Sequence, residues 1–223
     1  MKIFAPDAPF MRAMSRLADL MILNILFLIT SIPIFTIGAA TAAMYTVCFR
    51  LGTDREDGVF RPYFQAFKEN FREGTGVWLV LLLIMGAAFL DAAVCYSLGG
   101  FFHWFWLVFA ALLCLAVFIF TYAFPLMSQF ENTGKQTFKN ALLISIGYLP
   151  KTILMAALNA LPVVLLLTQI HVFFYVGFIW FVLYFSAIAY LNTRILRKIF
   201  KPFYESGEEE PAADEKVLEE EKE

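Results

Sequence analysis

Four stretches without a charged side chain constrain this chain more than any other feature. They cover residues 20–49 (30 residues), 74–90 (17), 92–130 (39) and 152–193 (42). Backbone amides in hydrocarbon have no water to bond, so such a stretch crosses a bilayer as helix, and a crossing needs about 20 residues. The two longest stretches are each long enough for two crossings joined by a tight turn. Composition agrees, since 61% of the 223 residues are apolar and Phe occurs 26 times, which excludes an ordinary soluble domain. The expected fold is all-α: a multi-pass helical membrane protein with five to six membrane helices, two amphipathic cytoplasmic segments and a disordered acidic C-terminal tail.

The formal net charge of -2 hides a division. Residues 205–223 hold ten acids and two lysines, leaving fifteen basic against nine acidic groups in the other 204 residues. The expected membrane domain, residues 1–204, is therefore basic, and the tail, residues 205–223, is too polar to bury a core. Basic flanks orient the crossings. Lys2, Arg12 and Arg16 precede the first apolar stretch, and Arg50, Arg55, Arg61, Lys68 and Arg72 follow it, so both flanks favour the cytoplasm. That favours an N-terminal hairpin over residues 10–50, shallow or re-entrant, with Asp7 capping its start and Ser31, Pro33 or Thr36 marking the turn. Five crossings with an external N-terminus form the other arrangement. The first stretch is too long for an export signal and ends at Arg50, so it is expected to persist in the mature protein.

Between 55 and 73, Phe60, Tyr63, Phe64, Phe67 and Phe71 recur every three or four residues among Arg61, Lys68, Glu69 and Arg72. This pattern predicts an amphipathic helix on the cytoplasmic face. A hairpin over 77–127 follows, turning outside near His103, with Trp104 and Trp106 in an aromatic belt. A second cytoplasmic segment covers 131–150, and a last hairpin, 152–193, turns outside near Gln169 and His171. Arg194, Arg197, Lys198 and Lys201 hold the C-terminal end inside. The run Gln65-Ala-Phe-Lys68 recurs as Gln136-Thr-Phe-Lys139, 71 residues on, which raises a duplicated hairpin.

Between Pro33 and Arg50 the small residues Gly38, Ala39, Ala42 and Ala43 form a face against which another helix backbone can pack closely. Pro33 breaks the helix before it. Together with Phe64, Phe67, Lys68 and Phe71, these are the candidate packing and interaction residues. Polar groups expected inside the bilayer are Asp19, Asn24, Asp91, Asn159 and Asn192. Asp91 stands fourteen residues into a crossing that starts at Val77, about 21 Å along it, and an ion path past Asp91 and Asn159 would suit a small-solute transporter. Asn159 and Asn192 also suit interhelical hydrogen bonds. Cys48, Cys95 and Cys114 lack CxxC spacing and read as core residues, while the two histidines sit in separate turns. No catalytic, cofactor-binding or metal-ligating motif is present in the sequence, and basic stretches at a membrane surface need no nucleic acid to explain them. The expectation is a non-enzymatic protein without a cofactor.

The run Leu20-Met-Ile-Leu-Asn24, the stretch from Ser31 through Pro33, Thr36, Gly38, Ala39, Ala40 and Ala43 to Tyr45, and Tyr63-Phe64-Gln-Ala-Phe67-Lys68-Glu-Asn70-Phe71 together resemble the YesL-like family of bacterial integral membrane proteins. The resemblance covers about residues 10–80. It implies a multi-pass protein of the bacterial cytoplasmic membrane, with a role beside ABC-type carbohydrate importers or glycan sensing, and a partner such as an importer permease or a sensor kinase. It brings no catalytic residue. Glu131, Gly134 and Leu149-Pro150 are also similar in outline to the cytoplasmic helix through which importer permeases dock on their ATPase, although Gly134 is misplaced and Asn132-Thr133 replaces the usual Ala pair.

Overall fold

The computed structural model describes residues 9–51, 58–98, 100–130, 133–169, 171, 175 and 177–220. Asp7, Arg55 and Glu131 lie outside the described residues. The described chain is helical, with no strand among the described residues. In order it forms α1 (Pro9–Thr30), a 3-10 turn (Ile34–Thr36), α2 (Ile37–Leu51), α3 (Phe60–Glu69), α4 (Phe71–Leu98), a 3-10 turn (Gly100–Phe105), α5 (Trp106–Met127), α6 (Gly134–Gly147) and α7 (Leu149–Thr168). A last helical run begins with one α turn at Gly177–Ile179, widens to a π-helix at Trp180–Tyr184 and continues as α8 (Phe185–Glu220). Six helical stretches are long and apolar enough to cross a membrane, as a multi-pass membrane protein requires.

Local chemistry explains the break between α1 and α2. Pro33 has no amide hydrogen to continue the helix, and Thr36 Oγ1 donates to the carbonyls of Thr30 and Pro33, at 2.5 and 2.7 Å, so the chain reverses tightly. The indole Nε1 of Trp78 donates to the carbonyl of Ile34 at 2.7 Å, a second bond on an oxygen that also accepts the Ile37 amide, and so ties the turn to α4.

Length and composition count α2 among the crossings, but its contacts give it another course. Gly38, at its start, lies on Gly74, one turn into α4; a Cβ at Gly38 would stand 2.2 Å from the Gly74 carbonyl oxygen. At its other end, Phe49 stacks on Phe200 with ring centroids 6.3 Å apart, and the Phe49 carbonyl accepts from the Arg197 guanidinium. Arg50 lines a cleft with Glu69, Asn70, Met127 and Phe130. Both ends of α2 thus sit where α4 starts, α5 ends and the membrane part of α8 ends. The N-terminal pair α1–α2 is therefore a helix–turn–helix whose two arms differ in length and course. Its second arm, 15 residues or about 22 Å, is too short to return across a core of about 30 Å. Small side chains let it lie among the ends of the other helices, where Ala39, Ala40, Ala42, Ala43 and Cys48 are all fully buried.

Other boundaries shift from their expected places. Among the described residues of the segment expected at 55–73, Phe60–Glu69 form one helix; the chain bends at Asn70 and α4 starts at Phe71 rather than Val77. The helix α6 opens with a capping box formed by Thr133 and Gln136. The Thr152 hydroxyl donates to the Ser145 carbonyl at 2.9 Å and lies 3.0 Å from the Tyr122 hydroxyl, tying the α6–α7 turn to α5. In the repeated run, Phe67 and Phe138 both pack against the core and Lys68 and Lys139 are both exposed, yet Gln65 binds Glu69 whereas Gln136 caps its helix. The apolar stretch of the last helix runs to Tyr204, beyond residue 193 where the sequence ends the last hairpin. Beyond it the backbone is traced as helix as far as Glu220. Glu, Lys, Ala and Leu are good helix formers, and extending an existing helix avoids the cost of nucleation.

Candidate functional site

The π-helical stretch Trp180–Tyr184 interrupts the regular ladder of the last helix, and such interruptions free backbone groups for other partners. The amide of Ser186 donates to Asn24 Oδ1 of α1 at 3.1 Å, and the Ser186 hydroxyl donates to the Leu20 carbonyl at 2.7 Å. Asn24 is fully buried. A polar side chain in hydrocarbon thus repairs a break in a neighbouring helix. On the other side of the π stretch, the Tyr184 hydroxyl donates to the Leu158 carbonyl of α7 at 2.5 Å.

About two turns further along α8, Asn192 gathers the principal polar cluster of the membrane body. Its Nδ2 donates to the Tyr45 hydroxyl of α2 and to Asn159 Oδ1 of α7, both at 3.2 Å. Three helices meet on one amide, which is itself 0% exposed. Asn192 Oδ1 has no partner among the described residues. Turning the amide over would pair the oxygen and strand the nitrogen instead, so one hydrogen-bonding position stays open in either orientation.

Tyr45 and Asn159 line a cavity of about 390 Å³ whose wall also includes Phe27, Ser31, Thr41, Phe120, Val163 and Phe185. Such a volume falls in the range of small-molecule sites. The wall is mostly apolar, and its hydroxyls largely turn back on helix carbonyls: Thr41 onto Ile37 and Thr121 onto Val117. The arrangement can hold a neutral, largely apolar molecule. It presents no carboxylate or basic group for proton or cation chemistry.

The structure places the expected residues unevenly. Gly38, Ala39, Ala42 and Ala43 are buried by this chain's own α4, α5 and α8, so their small-residue face is a seam within the molecule rather than a surface for a partner. Pro33 is exposed at the α1–α2 turn. Asn159 and Asn192 bond one another, as their interhelical reading expects. Asp91 belongs to neither the cluster nor the cavity wall; it is exposed on α4, and the earlier start of that helix places it about 30 Å along, near the far end. A path joining Asp91 with Asn159 is therefore not built. Asp19 is partly buried on α1, away from the cavity wall. Cys48 is buried, whereas Cys114 is exposed on α5 and is not a core residue. In a membrane helix an exposed thiol meets lipid, which the apolar count alone cannot separate from the core.

On α3, Val59, Tyr63 and Ala66 face inward, and the Tyr63 and Thr30 hydroxyls lie 2.5 Å apart. Burial pushes the Tyr63 phenol above its ordinary pKa, the Thr30 hydrogen bond opposing. Phe67 stacks on Tyr63 and meets Phe71 edge-on, while Phe64, 50% exposed, and Lys68 face outward. Sequence reasoning attended to carboxylates and amides and passed over Tyr45, Tyr63 and Ser186. The available signal was a hydroxyl-bearing residue inside an uncharged run, where it must find a partner.

Comparison with known proteins follows the same outline. The family described as "Protein of unknown function, DUF624" matches residues 20–92. "Uncharacterized protein YesL" of Bacillus subtilis (strain 168) is 30% identical over 201 residues, which cover 89% of this chain and 91% of that protein. "Uncharacterized protein YteU" of the same organism is 30% identical over 200 residues, covering 87% of this chain and 85% of its own length. No solved structure matches the chain.

Proposed function

Because the chain belongs to the YesL-like family of integral membrane proteins, we propose that it is a non-enzymatic accessory subunit of the bacterial cytoplasmic membrane, serving carbohydrate uptake through an ABC-type importer, or its sensing. The observation that carries this reading is α3. Its inner face is pinned to the α1–α2 turn through Tyr63 and Thr30, while its outer face offers Phe60, Phe64 and Lys68 to the surroundings, with Phe71 exposed beside it at the start of α4. A short helix held this firmly presents an aromatic and basic surface in a fixed orientation, which suits docking on an importer permease or a sensor kinase. With the α2 seam consumed inside the chain, α3 takes over the docking role. The test is purification from native membranes in mild detergent. A permease or kinase should co-purify in stoichiometric amount and be lost with Phe64→Ser combined with Lys68→Glu; recovery of no such partner defeats the reading.

Our reading of sidedness draws on the basic residues together with the same contacts. Basic residues place the end of the bundle that holds α3, α6 and Tyr204 in the cytoplasm, together with the tail. Both ends of α2 lie at that end, so α1 crosses alone and the N-terminus faces outward, the five-crossing arrangement. A single cysteine at Lys2 in a cysteine-free background should then react with an impermeant thiol reagent in intact cells. Protection would restore the six-crossing hairpin. The second reading, a small-solute permease-like subunit, draws on the cavity lined by Asn159. Transport in reconstituted vesicles that survives Asn159→Ala would remove that support.

A further inference from the structure

The cavity between α1, α2, α5, α7 and α8 has a wall chemistry and a depth that select its occupant, independently of docking through α3. We infer that it holds an acyl chain of a bilayer phospholipid. Asn159 lies ten residues from the start of α7, about 15 Å along it and so close to the middle of a hydrocarbon core about 30 Å thick. At that depth the surrounding solvent is acyl chain. One side of the cavity is reachable from that solvent, because Val163, which lines it, is 58% exposed on α7.

The wall decides between a lipid chain and a sugar. Its Thr41, Thr121 and Tyr184 hydroxyls are spent on the carbonyls of Ile37, Val117 and Leu158. Tyr45 and Asn159 are engaged with Asn192. Of the wall hydroxyls, Ser31 Oγ is buried without a partner among the described residues. A sugar would bring many hydroxyls to a wall with few places for them, and each one left unpaired opposes binding. An acyl chain brings none and covers Phe27, Phe120, Val163, Phe185 and Ala189, which line the cavity.

The test uses the full chain in vesicles of phosphatidylethanolamine and phosphatidylglycerol, doped with a phospholipid whose acyl chain carries a diazirine near its end. After irradiation, adducts are mapped by peptide mass spectrometry. Adducts are expected on Met44, Phe185 and Ala189 of the wall, as well as on outward Leu83 and Leu90. Ala189→Phe, which fills the cavity, and Val163→Trp, which blocks its open side from an exposed position, should each abolish the wall adducts. Persisting adducts at Leu83 and Leu90 show that each variant is still folded and inserted. Labelling confined to outward side chains overturns the inference, as do wall adducts that survive Val163→Trp with those controls intact. Wall adducts displaced by excess maltose overturn it too, by assigning the cavity to a sugar.

Discussion

Replacing Gly38 by Ala tests the tightest helix crossing in the molecule. The added Cβ would meet the Gly74 carbonyl oxygen at 2.2 Å, the Trp78 Cβ at 2.6 Å and Phe124 Cε1 at 2.9 Å, against 3.4 Å or more in ordinary contact. Two of these neighbours cannot rotate away, since one is backbone and the other is the root of a side chain. The helices α2 and α4 must therefore part by roughly 1 Å, which forfeits up to about half of each close contact across the seam. Overpacking of this kind costs about 3 kcal/mol, and the gain in helix propensity from Gly to Ala returns about 1 kcal/mol. The net expectation is a loss of about 2 kcal/mol. Gly74→Ala meets Ala39 at 3.1 Å and should cost less, while Gly76→Ala and Gly86→Ala meet nothing within 4 Å and should be neutral or stabilising. Reversible unfolding of the four variants in mixed micelles, titrated with a denaturing detergent, gives the ranking. If Gly38→Ala proves as stable as Gly76→Ala, the close crossing of α2 on α4 is wrong.

Three further outcomes follow from the polar contacts. Asn192→Leu, which severs Tyr45 and Asn159 from their common partner, should cost about 1 kcal/mol in the same titration, the scale of interhelical hydrogen bonds in membranes; no loss would show the cluster to be idle. Asp91→Asn should change stability by less than about 0.5 kcal/mol, because its carboxylate is exposed near a helix end; a loss above 1 kcal/mol would give it a buried partner. Tyr63→Phe should cost about 1 kcal/mol near neutral pH. The raised phenol pKa stabilises the fold fully below the ordinary tyrosine pKa of about 10 and progressively less as pH rises beyond it. The melting-temperature gap between the parent chain and Tyr63→Phe should therefore shrink above that pH, and a gap that widens would contradict the burial of Tyr63.

Much of the fold was legible because the bilayer imposes it. Uncharged runs of known length leave helices as the available structure, and their approximate positions follow from charge alone. The course of α2 was not legible. Its composition is that of a crossing, and the decisive facts are long-range: Gly38 on Gly74, and Phe49 on Arg197 and Phe200. A small-residue face announces that something will pack closely, but not whether the neighbour belongs to the same chain. The start of α4 was misplaced because Glu73 and Arg72 look like the edge of a loop, whereas charged side chains continue a helix out of the membrane without difficulty. That shift removed Asp91 from the interior. The cavity and the polar cluster beside it were half visible, through Asn159 on the wall and Asn192 behind it. Tyr45, Ser31 and the π turn at Trp180–Tyr184 join them only in three dimensions.

The bond from Arg197 to the Phe49 carbonyl spans 148 residues of sequence, and that number has a temporal meaning. A ribosome adding 5–20 residues per second needs about 7 to 30 s to make that length. Early in this interval α2 lacks the α4 and α5 surfaces that bury its seam, and until its end it lacks that of α8. Its Gly38 end can close on α4 and α5 as soon as they are made, whereas Tyr45 and Phe49 wait for Asn192, Arg197 and Phe200 of the last helix. The part of the chain made first is thus among the last to be finished, and quality control at the membrane would meet this protein chiefly through an unclosed α2.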